Sequence, residues 1–246
     1  MITSKILEVK NISKRFGGIV ALNHCSFAAE QGHITALIGP NGSGKSTMFH
    51  VLSRLVQEDA GEIKFKGEEI ISKNDFQVAR RGLSRTFQEV RLFRNLTIQD
   101  HLELALNDKD EKLQSILLKK KNHLPRIKEI LALVKLSKSL SVLATELSYG
   151  QRKLLDLAMA LAQRHELLML DEPVAGVNPA LRQEIKIILK KLQAHGETIL
   201  LIEHDMNFVM DLADYIYVLD NGKVIAQGKP KEIQRNKKVL EAYLGE

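Results

Sequence analysis

The sequence lacks three features that would assign it to other classes of protein. It has one cysteine, Cys25, so no internal disulfide can form. A single thiol suits a reducing cytosol, and we interpret Cys25 as a small core residue. No uncharged apolar run approaches the roughly eighteen residues of a membrane-spanning helix, and the opening MITSKILEVK lacks a signal-peptide core. We therefore expect a chain that neither crosses a membrane nor is exported.

The composition is that of a globular protein with an excess of positive charge. Hydrophobic residues make up 44% of the 246 residues, charged residues make up 27%, and the net charge is +6. This length allows one large domain, or a core with a subdomain. The positive charge is concentrated in Leu117–Lys128. That segment could meet anionic lipid, nucleic acid or an acidic partner, or it could be a solvated helix face.

A glycine-rich segment, GPNGSGKSTMFH at Gly39–His50, links two different patterns. The preceding HITALI is short and apolar enough for a buried strand, and Thr47–Leu55 has the apolar spacing of a helix. Glycines at such a turn permit backbone angles closed to other residues, so successive N–H groups can face one anion at a helix N-terminus. The segment is therefore predicted to bind phosphate, with an ordinary glycine-rich turn as the alternative.

The spacing Gly-x-x-x-x-Gly-Lys-Ser is typical of the phosphate-binding loop of nucleotide hydrolases. In such a loop Lys45 would reach the β- and γ-phosphates, the Ser46 hydroxyl would ligate Mg²⁺, and Thr47 would bond the α-phosphate. An ordinary turn needs neither the lysine nor the paired hydroxyls. The predicted nucleotide-binding residues of this loop are Gly39, Pro40, Asn41, Gly42, Ser43, Gly44, Lys45, Ser46 and Thr47.

The remaining pattern indicates an α/β protein. The first thirty or so residues and EIKFKG alternate in the manner of strands, which predicts a small antiparallel sheet beside the phosphate loop. Residues 97–164 have long helical periodicity and few glycines, so we predict an inserted helical subdomain there. Strands then alternate with helices, as in a parallel sheet, and Asn221-Gly222 predicts a two-residue hairpin near the end.

Two acids follow the apolar run LLML, at the point where a parallel strand should end. The carboxyl edge of such a sheet is where α/β proteins bind ligands. Asp171 could hold Mg²⁺ there, usually through its water. Glu172 is placed to accept a proton from the water that attacks the γ-phosphate. The alternative is a simple strand-ending turn, since Pro173 stops the strand.

The segment LSYGQRK places Ser148 and Gly150 directly before a strong helix pattern. Ser148 could be only an N-cap. The same geometry would offer phosphate a second helix N-terminus. Taken in order, the phosphate loop, Gln88, LSYGQ, LLMLDEP and His204 in LIEHD resemble the nucleotide-binding domain of an ABC ATPase, and LSYGQ is the most discriminating of these motifs.

This resemblance covers essentially the whole chain. It implies a P-loop NTPase (RecA-like) core with an antiparallel β subdomain and an inserted α-helical subdomain, forming a single domain over residues 1–246. Members of the family pair head to tail, which implies that Ser148 and Gly150 act on nucleotide held by a second subunit. Tyr149 replaces the first glycine usual in this signature, and Asn178 stands where many members have aspartate. Neither departure removes a phosphate ligand or the proposed base.

The resemblance also implies roles for residues outside these motifs. Gln88 would contact Mg²⁺ and the attacking water, and would couple the site to a membrane partner. His204 would hydrogen-bond the γ-phosphate and help to position Glu172, with an uninvolved histidine as the alternative. Phe16 would stack on adenine, or would be a core aromatic. The implied cofactors are ATP and Mg²⁺.

Within the family, TFQEVRLFRNLTIQDHLELA, EPVAGVNP and the ending VLEAYLGE resemble ATP-binding subunits of branched-chain (hydrophobic) amino acid importers. This implies separate permease subunits, a second ATP-binding subunit, an indirect solute-binding partner, and a cytoplasmic location at the inner face of the membrane. The ATP-binding subunits of urea-type importers and the ATPase of lipopolysaccharide export share parts of these stretches. A soluble ABC protein acting on nucleic acid or ribosomes is a further alternative, although we expect no nucleic-acid partner. A regulatory domain without hydrolysis is another.

Overall fold

Two β-sheets organise the computed structural model, which describes residues 4–107 and 122–244. One sheet has four strands in the order β2-β1-β4-β5, and the other has six in the order β10-β9-β3-β8-β7-β6. Numbered along the chain, the strands are β1 (Lys5–Phe16), β2 (Ile19–Glu30), β3 (Ile34–Ile38), β4 (Ala60–Phe65), β5 (Glu68–Glu69), β6 (Leu83–Arg85), β7 (Leu167–Asp171), β8 (Ile199–Ile202), β9 (Tyr215–Asp220) and β10 (Lys223–Gly228).

The four-stranded sheet is antiparallel, as the alternating sequence predicts. Its first two strands form a hairpin that turns at Gly17 and Gly18, where Phe16 pairs with Ile19. Leu7, Val9 and Ile12 are buried on one face of it. The buried Cys25 belongs to the same core and donates its thiol to the Gly222 carbonyl at 2.8 Å. The prediction of Cys25 as a small core residue is confirmed.

The six-stranded sheet has a parallel centre. Strands β6, β7, β8, β3 and β9 are parallel to one another, and every residue of β3, β7 and β8 is buried. Only β10 runs antiparallel, because Asn221 and Gly222 take positive φ angles of 45° and 73° and reverse the chain in two residues. The predicted hairpin and the predicted parallel sheet are both confirmed.

Helices cover the faces of the parallel sheet and supply most of its core. They are α1 (Lys45–Leu52), α2 (Asp75–Arg80), α3 (Ile98–Leu106), α4 (Leu124–Leu133), α5 (Tyr149–Ala162), α6 (Pro179–Ala194), α7 (Met206–Leu212), α8 (Pro230–Gln234) and α9 (Lys237–Leu244). In the described ranges, no helix combines the length and the apolar character needed to cross a membrane.

Helices α3, α4 and α5 lie in the chain between β6 and β7, where the sequence predicts a helical insertion. Thr97 and Ser148 begin α3 and α5 as N-caps, each within a reciprocal capping box that satisfies two backbone donors. Residues 117–121 of the basic segment, and most of the charged stretch 107–123, lie outside the described residues.

The helix after the phosphate loop is shorter than the sequence pattern predicts. It ends at Leu52 rather than Leu55, because Arg54 takes a positive φ of 61°, a conformation that no α-helix contains. Arg54 is held there by hydrogen bonds to the carbonyls of Ile71 and Lys73. Apolar spacing alone continues past this break, so it does not reveal it.

Candidate functional site

The phosphate loop needs glycine at two positions for both space and conformation. Gly39 and Gly44 have φ angles of 152° and 105°. A Cβ on Gly39 would lie 2.0 Å from the Leu219 carbonyl oxygen, and one on Gly44 would lie 2.4 Å from the Ala21 carbonyl oxygen. Real Cβ atoms do not approach backbone so closely, so the loop is fitted between β2 and β9 with no room for a side chain.

Lys45 is buried inside this loop and holds its shape. Its Nζ donates to the carbonyl oxygens of Gly39 and Pro40, at 2.8 Å each. Burial lowers the pKa of Lys45, while the nearby acids Glu172 and Asp171 oppose that change. A partly desolvated ammonium facing two carboxylates is a fixed positive charge that suits phosphate binding.

The helix that starts at Lys45 has an N-terminus free for an anion. Its N-cap is Gly44, which has no side chain to cap the first amides, and its first turn contains no acid. Ser46 is exposed and Thr47 is half-buried in that turn. The positive end of the helix dipole and its unpaired N–H groups therefore face the side of the loop that a phosphate would occupy.

Asp171 lies at the end of β7 and keeps one oxygen unpaired. Its Oδ2 accepts from Arg85 Nη2 at 2.9 Å, and its backbone N–H donates to Thr86 Oγ1. Within the described part of the chain, the buried Oδ1 has no hydrogen-bond partner. A buried carboxylate oxygen left unpaired is costly. Because Mg²⁺ with its water shell takes oxygen ligands, the Asp171 carboxylate and the exposed Ser46 hydroxyl have the chemistry to hold that ion.

Glu172, Gln88 and His204 meet at the edge of the same sheet. Glu172 Oε2 accepts from Gln88 Nε2 at 3.0 Å and lies 3.7 Å from His204 Nδ1. The backbone of Glu172 takes a positive φ of 48°, which is uncommon outside glycine and typical of sites where the surrounding structure enforces a strained conformation. Gln88 and Glu172 are 84 residues apart in the sequence, and each of the three residues follows a different strand of the sheet, so the fold brings them together.

Two further buried groups support this cluster, and sequence reasoning missed both. Glu203 accepts from the backbone N–H groups of Val174 and His204 at 3.0 and 3.2 Å, and burial raises its pKa. Arg85, besides pairing with Asp171, lies over the rings of Phe49 and Phe87 at 5.5 and 4.9 Å. Both are charged residues at the ends of buried strands, which is the signal that could have identified them.

Ser148 is the N-cap of α5, accepting from Gln151 N–H at 3.3 Å. Gly150 lies inside that helix rather than before it. Because it has no side chain, it leaves room for Leu181, whose Cδ2 would lie 2.4 Å from an added Cβ.

Tyr149, the departure from the usual signature, packs against Gly176. Asn178 caps α6 by accepting from Leu181 N–H at 2.9 Å, so it serves the helix as an aspartate would.

Phe16 lies at the tip of the first hairpin with 48% of its surface exposed, which excludes a core aromatic. Lys14 Nζ lies 5.4 Å from its ring centre. The ring is therefore open to stacking with a flat partner.

Comparison with known proteins agrees with this geometry. The family model described as ABC transporter matches residues 22–175. The chain belongs to the ABC transporter family. A second family model, described as branched-chain amino acid ATP-binding cassette transporter, matches residues 223–246. As an ABC transporter ATP-binding subunit, the chain binds ATP and hydrolyses it.

Several named relatives match this chain over nearly its full length. The high-affinity branched-chain amino acid transport ATP-binding protein BraF of Pseudomonas aeruginosa is 38% identical over 250 residues, covering 98% of each chain. LivG of Escherichia coli, with the same description, is also 38% identical over 98% of each. A probable LivG of Archaeoglobus fulgidus is 38% identical, over 98% of this chain and 96% of its own.

Solved ABC structures share the fold. A nucleotide-free ATP-binding cassette from an ABC transporter has a TM-score of 0.85 and 34% identity, covering 99% of this chain and all of its own. The ADP conformation of such a cassette gives the same values. A P-loop NTPase core with mixed α/β sheets is thereby confirmed, and membership of a transporter family favours transport over action on nucleic acid.

Proposed function

We propose that this ABC ATPase drives the import of branched-chain or other hydrophobic amino acids. The agreement between two independent comparisons carries the proposal. Relatives that match over the whole chain are named for that transport, and a family model of the same description matches the C-terminal residues 223–246. The permease subunits would be separate chains, and the ATPase would be peripheral on the cytoplasmic face of the membrane.

In this proposal, the phosphate loop binds the triphosphate through the amides that begin α1 and through Lys45. Ser46, Asp171 and Gln88 would hold Mg²⁺, which when bound neutralises charge on the β- and γ-phosphates. The unpaired Oδ1 of Asp171 supports this assignment, because a buried carboxylate oxygen without a protein partner among the described residues leaves an acceptor available to the ion. Arg85 keeps the Asp171 carboxylate oriented through the opposite oxygen.

Glu172 would act as the general base that takes a proton from the attacking water. Gln88 and His204 flank its carboxylate, so they would position both that carboxylate and the water. His204 is more than half exposed, at 54% of its side chain, so it is also free to meet the γ-phosphate. Ser148 and Gly150 would complete the site of a partner subunit, and Phe16 would stack on adenine.

Solute uptake tests the function. Cells that lack this chain should take up radiolabelled leucine and isoleucine poorly, and the wild-type chain should restore that uptake. A variant without turnover should not restore it. Unchanged leucine and isoleucine uptake in the deletion strain, with loss of urea uptake or of lipopolysaccharide at the cell surface, would replace the amino acid assignment with one of the related systems.

Replacing Glu172 with Gln separates binding from turnover. Glu172→Gln keeps the size of the side chain but removes the proton acceptor, so we expect ATP affinity within about threefold of the wild type and phosphate release lowered at least about a hundredfold. Steady-state phosphate release and equilibrium binding measure the two quantities. Turnover equal to that of the parent protein would remove Glu172 as the base.

A further inference from the structure

A buried lysine joins α5, the helix that begins at the LSYGQ signature, to Gln88 and Glu172. Lys153 of α5 is 5% exposed, and its Nζ donates to the carbonyl oxygens of Gln88 and Glu172, at 3.0 Å each. The side chains of the same two residues are hydrogen-bonded to each other, through Gln88 Nε2 and Glu172 Oε2. Gln88 and Glu172 are therefore connected twice, once through their side chains and once through the Lys153 ammonium.

The main chain at Gln88 and at Glu172 needs a hydrogen-bond donor from elsewhere in the fold to hold its position. Gln88 lies between β6 and α3 in a stretch without regular secondary structure, so no ladder hydrogen bonds fix its carbonyl. Glu172 follows β7 with a positive φ of 48°, a conformation that must be held by its surroundings. A donor that bonds both carbonyls at once fixes the separation of the two segments.

The ammonium is retained at a position where burial opposes its charge. Burial lowers the pKa of Lys153, and the acids that oppose this are Asp156 on the same helix together with Glu203, Glu172 and Asp171. A buried charge is seldom the most stable choice for such a position, because an apolar side chain of similar length avoids the desolvation cost. The ammonium donates hydrogen bonds to the carbonyls of Gln88 and Glu172, and it lies 6.0 Å from the centre of the Tyr149 ring.

Helix α5 also carries the signature, at its N-terminus. Ser148 is its N-cap, and Lys153 lies between one and two turns further along. Because a helix moves as a rigid unit, a displacement of its N-terminus moves the Lys153 ammonium with it. A displacement of the signature would therefore also displace the donor that bonds the Gln88 and Glu172 carbonyls.

We propose that Lys153 is a positioning residue that sets the separation of Gln88 and Glu172 and transmits the position of the signature helix to them. This rests on the proposed role of Glu172 as base. It adds to that role a physical link between the signature of one subunit and the base of the same subunit. Lys153 acts through the main-chain carbonyls of Gln88 and Glu172.

The test compares Lys153→Met, Lys153→Arg and a control, Lys190→Met. Lys190 also donates to a backbone carbonyl, that of Leu212 at 2.7 Å, but neither residue belongs to the proposed site. Lys153→Met should lower kcat for ATP about ten- to a hundredfold, since small misplacements of catalytic groups have effects of that size. Its KM for ATP should stay within about threefold. Lys153→Arg should restore most of kcat, and Lys190→Met should leave it unchanged.

A kcat for Lys153→Met equal to that of the wild type would overturn the proposal, and so would equal loss in Lys153→Met and Lys153→Arg. If Lys153→Met does not fold, Lys153→Gln takes its place, and equal kcat for the Gln and Arg variants overturns the proposal. Glu172→Gln is measured alongside. Loss of turnover in Glu172→Gln together with normal turnover in Lys153→Met would reject the positioning role alone, whereas normal turnover in Glu172→Gln would reject the base.

Discussion

At the residue scale, the phosphate loop combines two glycines that have no room for a side chain with one lysine that bonds the carbonyls of Gly39 and Pro40. The loop motif is predictable from sequence, because its residue types and spacing are local along the chain. The supporting residues are not, since their partners come from distant positions. Arg85 and Asp171 are 86 residues apart, and Lys153 and Gln88 are 65 apart. Only the folded chain brings such pairs together.

Alanine substitution in the loop should separate lack of space from backbone strain. Gly42 has a positive φ of 81° and open space around it, whereas Gly44 at 105° also faces the Ala21 carbonyl. Gly42→Ala should therefore lower the free energy of unfolding by about 1–2 kcal/mol, which is the cost of the left-handed conformation. Gly44→Ala should cost about 3 kcal/mol or more, because backbone must also move. Chemical denaturation without nucleotide measures both, and equal losses would contradict the packing described for Gly44.

Removal of the Lys45 ammonium should weaken nucleotide binding. Lys45→Ala removes the buried charge inside the loop and its bonds to Gly39 and Pro40. We expect ATP affinity to fall about ten- to a hundredfold, as for the loss of a charged hydrogen bond. Equilibrium binding of ATP measures it. Lys186→Ala, which removes only a surface partner of Asp211, is the control, and equal affinity of the two variants would count against the phosphate role of Lys45.

At the scale of elements, an ion pair between His165 and Glu197 connects the segment after α5 with the turn before β8. His165 Nε2 lies 2.9 Å from Glu197 Oε2. Burial alone lowers the pKa of His165, and Arg126 acts in the same direction. The Glu197 carboxylate and the Gln163 carbonyl outweigh them and raise that pKa. The sequence predicts the helices and the strand on either side, through apolar periodicity and Gly196, but it does not reveal this pair.

The pair gives stability a pH dependence of known sign. A histidine with a raised pKa in the folded state stabilises fully below its ordinary value near 6.5, and that contribution is lost as pH rises through the raised value. Glu197→Gln should therefore cost on the order of 1 kcal/mol at pH 6 and much less at pH 9. Urea denaturation at the two pH values measures this. Glu166→Gln, which breaks the exposed pair with Lys66, should show no such difference. Equal costs of Glu197→Gln at both pH values would contradict the assignment.

At the scale of the whole molecule, the fold was predictable because each level of the sequence agrees with it. Buried apolar strands, capped helices and an Asn-Gly turn indicate the same α/β arrangement. The exceptions have local physical causes, such as Arg54 ending α1 and Gly150 entering α5. The permease subunits and the transported solute cannot be identified from the sequence of this subunit. In the C-terminal helix α9, burial raises the pKa of the Tyr243 hydroxyl to about 12, and the neighbouring Gly39 backbone of the phosphate loop opposes that change.

Mass spectrometry of the proteins that copurify with this chain from gently solubilised membranes tests the transport account most directly. The account predicts two different multi-spanning permeases, together with a second copy of this chain or a related ATPase. Recovery with ribosomes or nucleic acid, and with no membrane protein, would contradict the transport account and leave the ATPase chemistry in place.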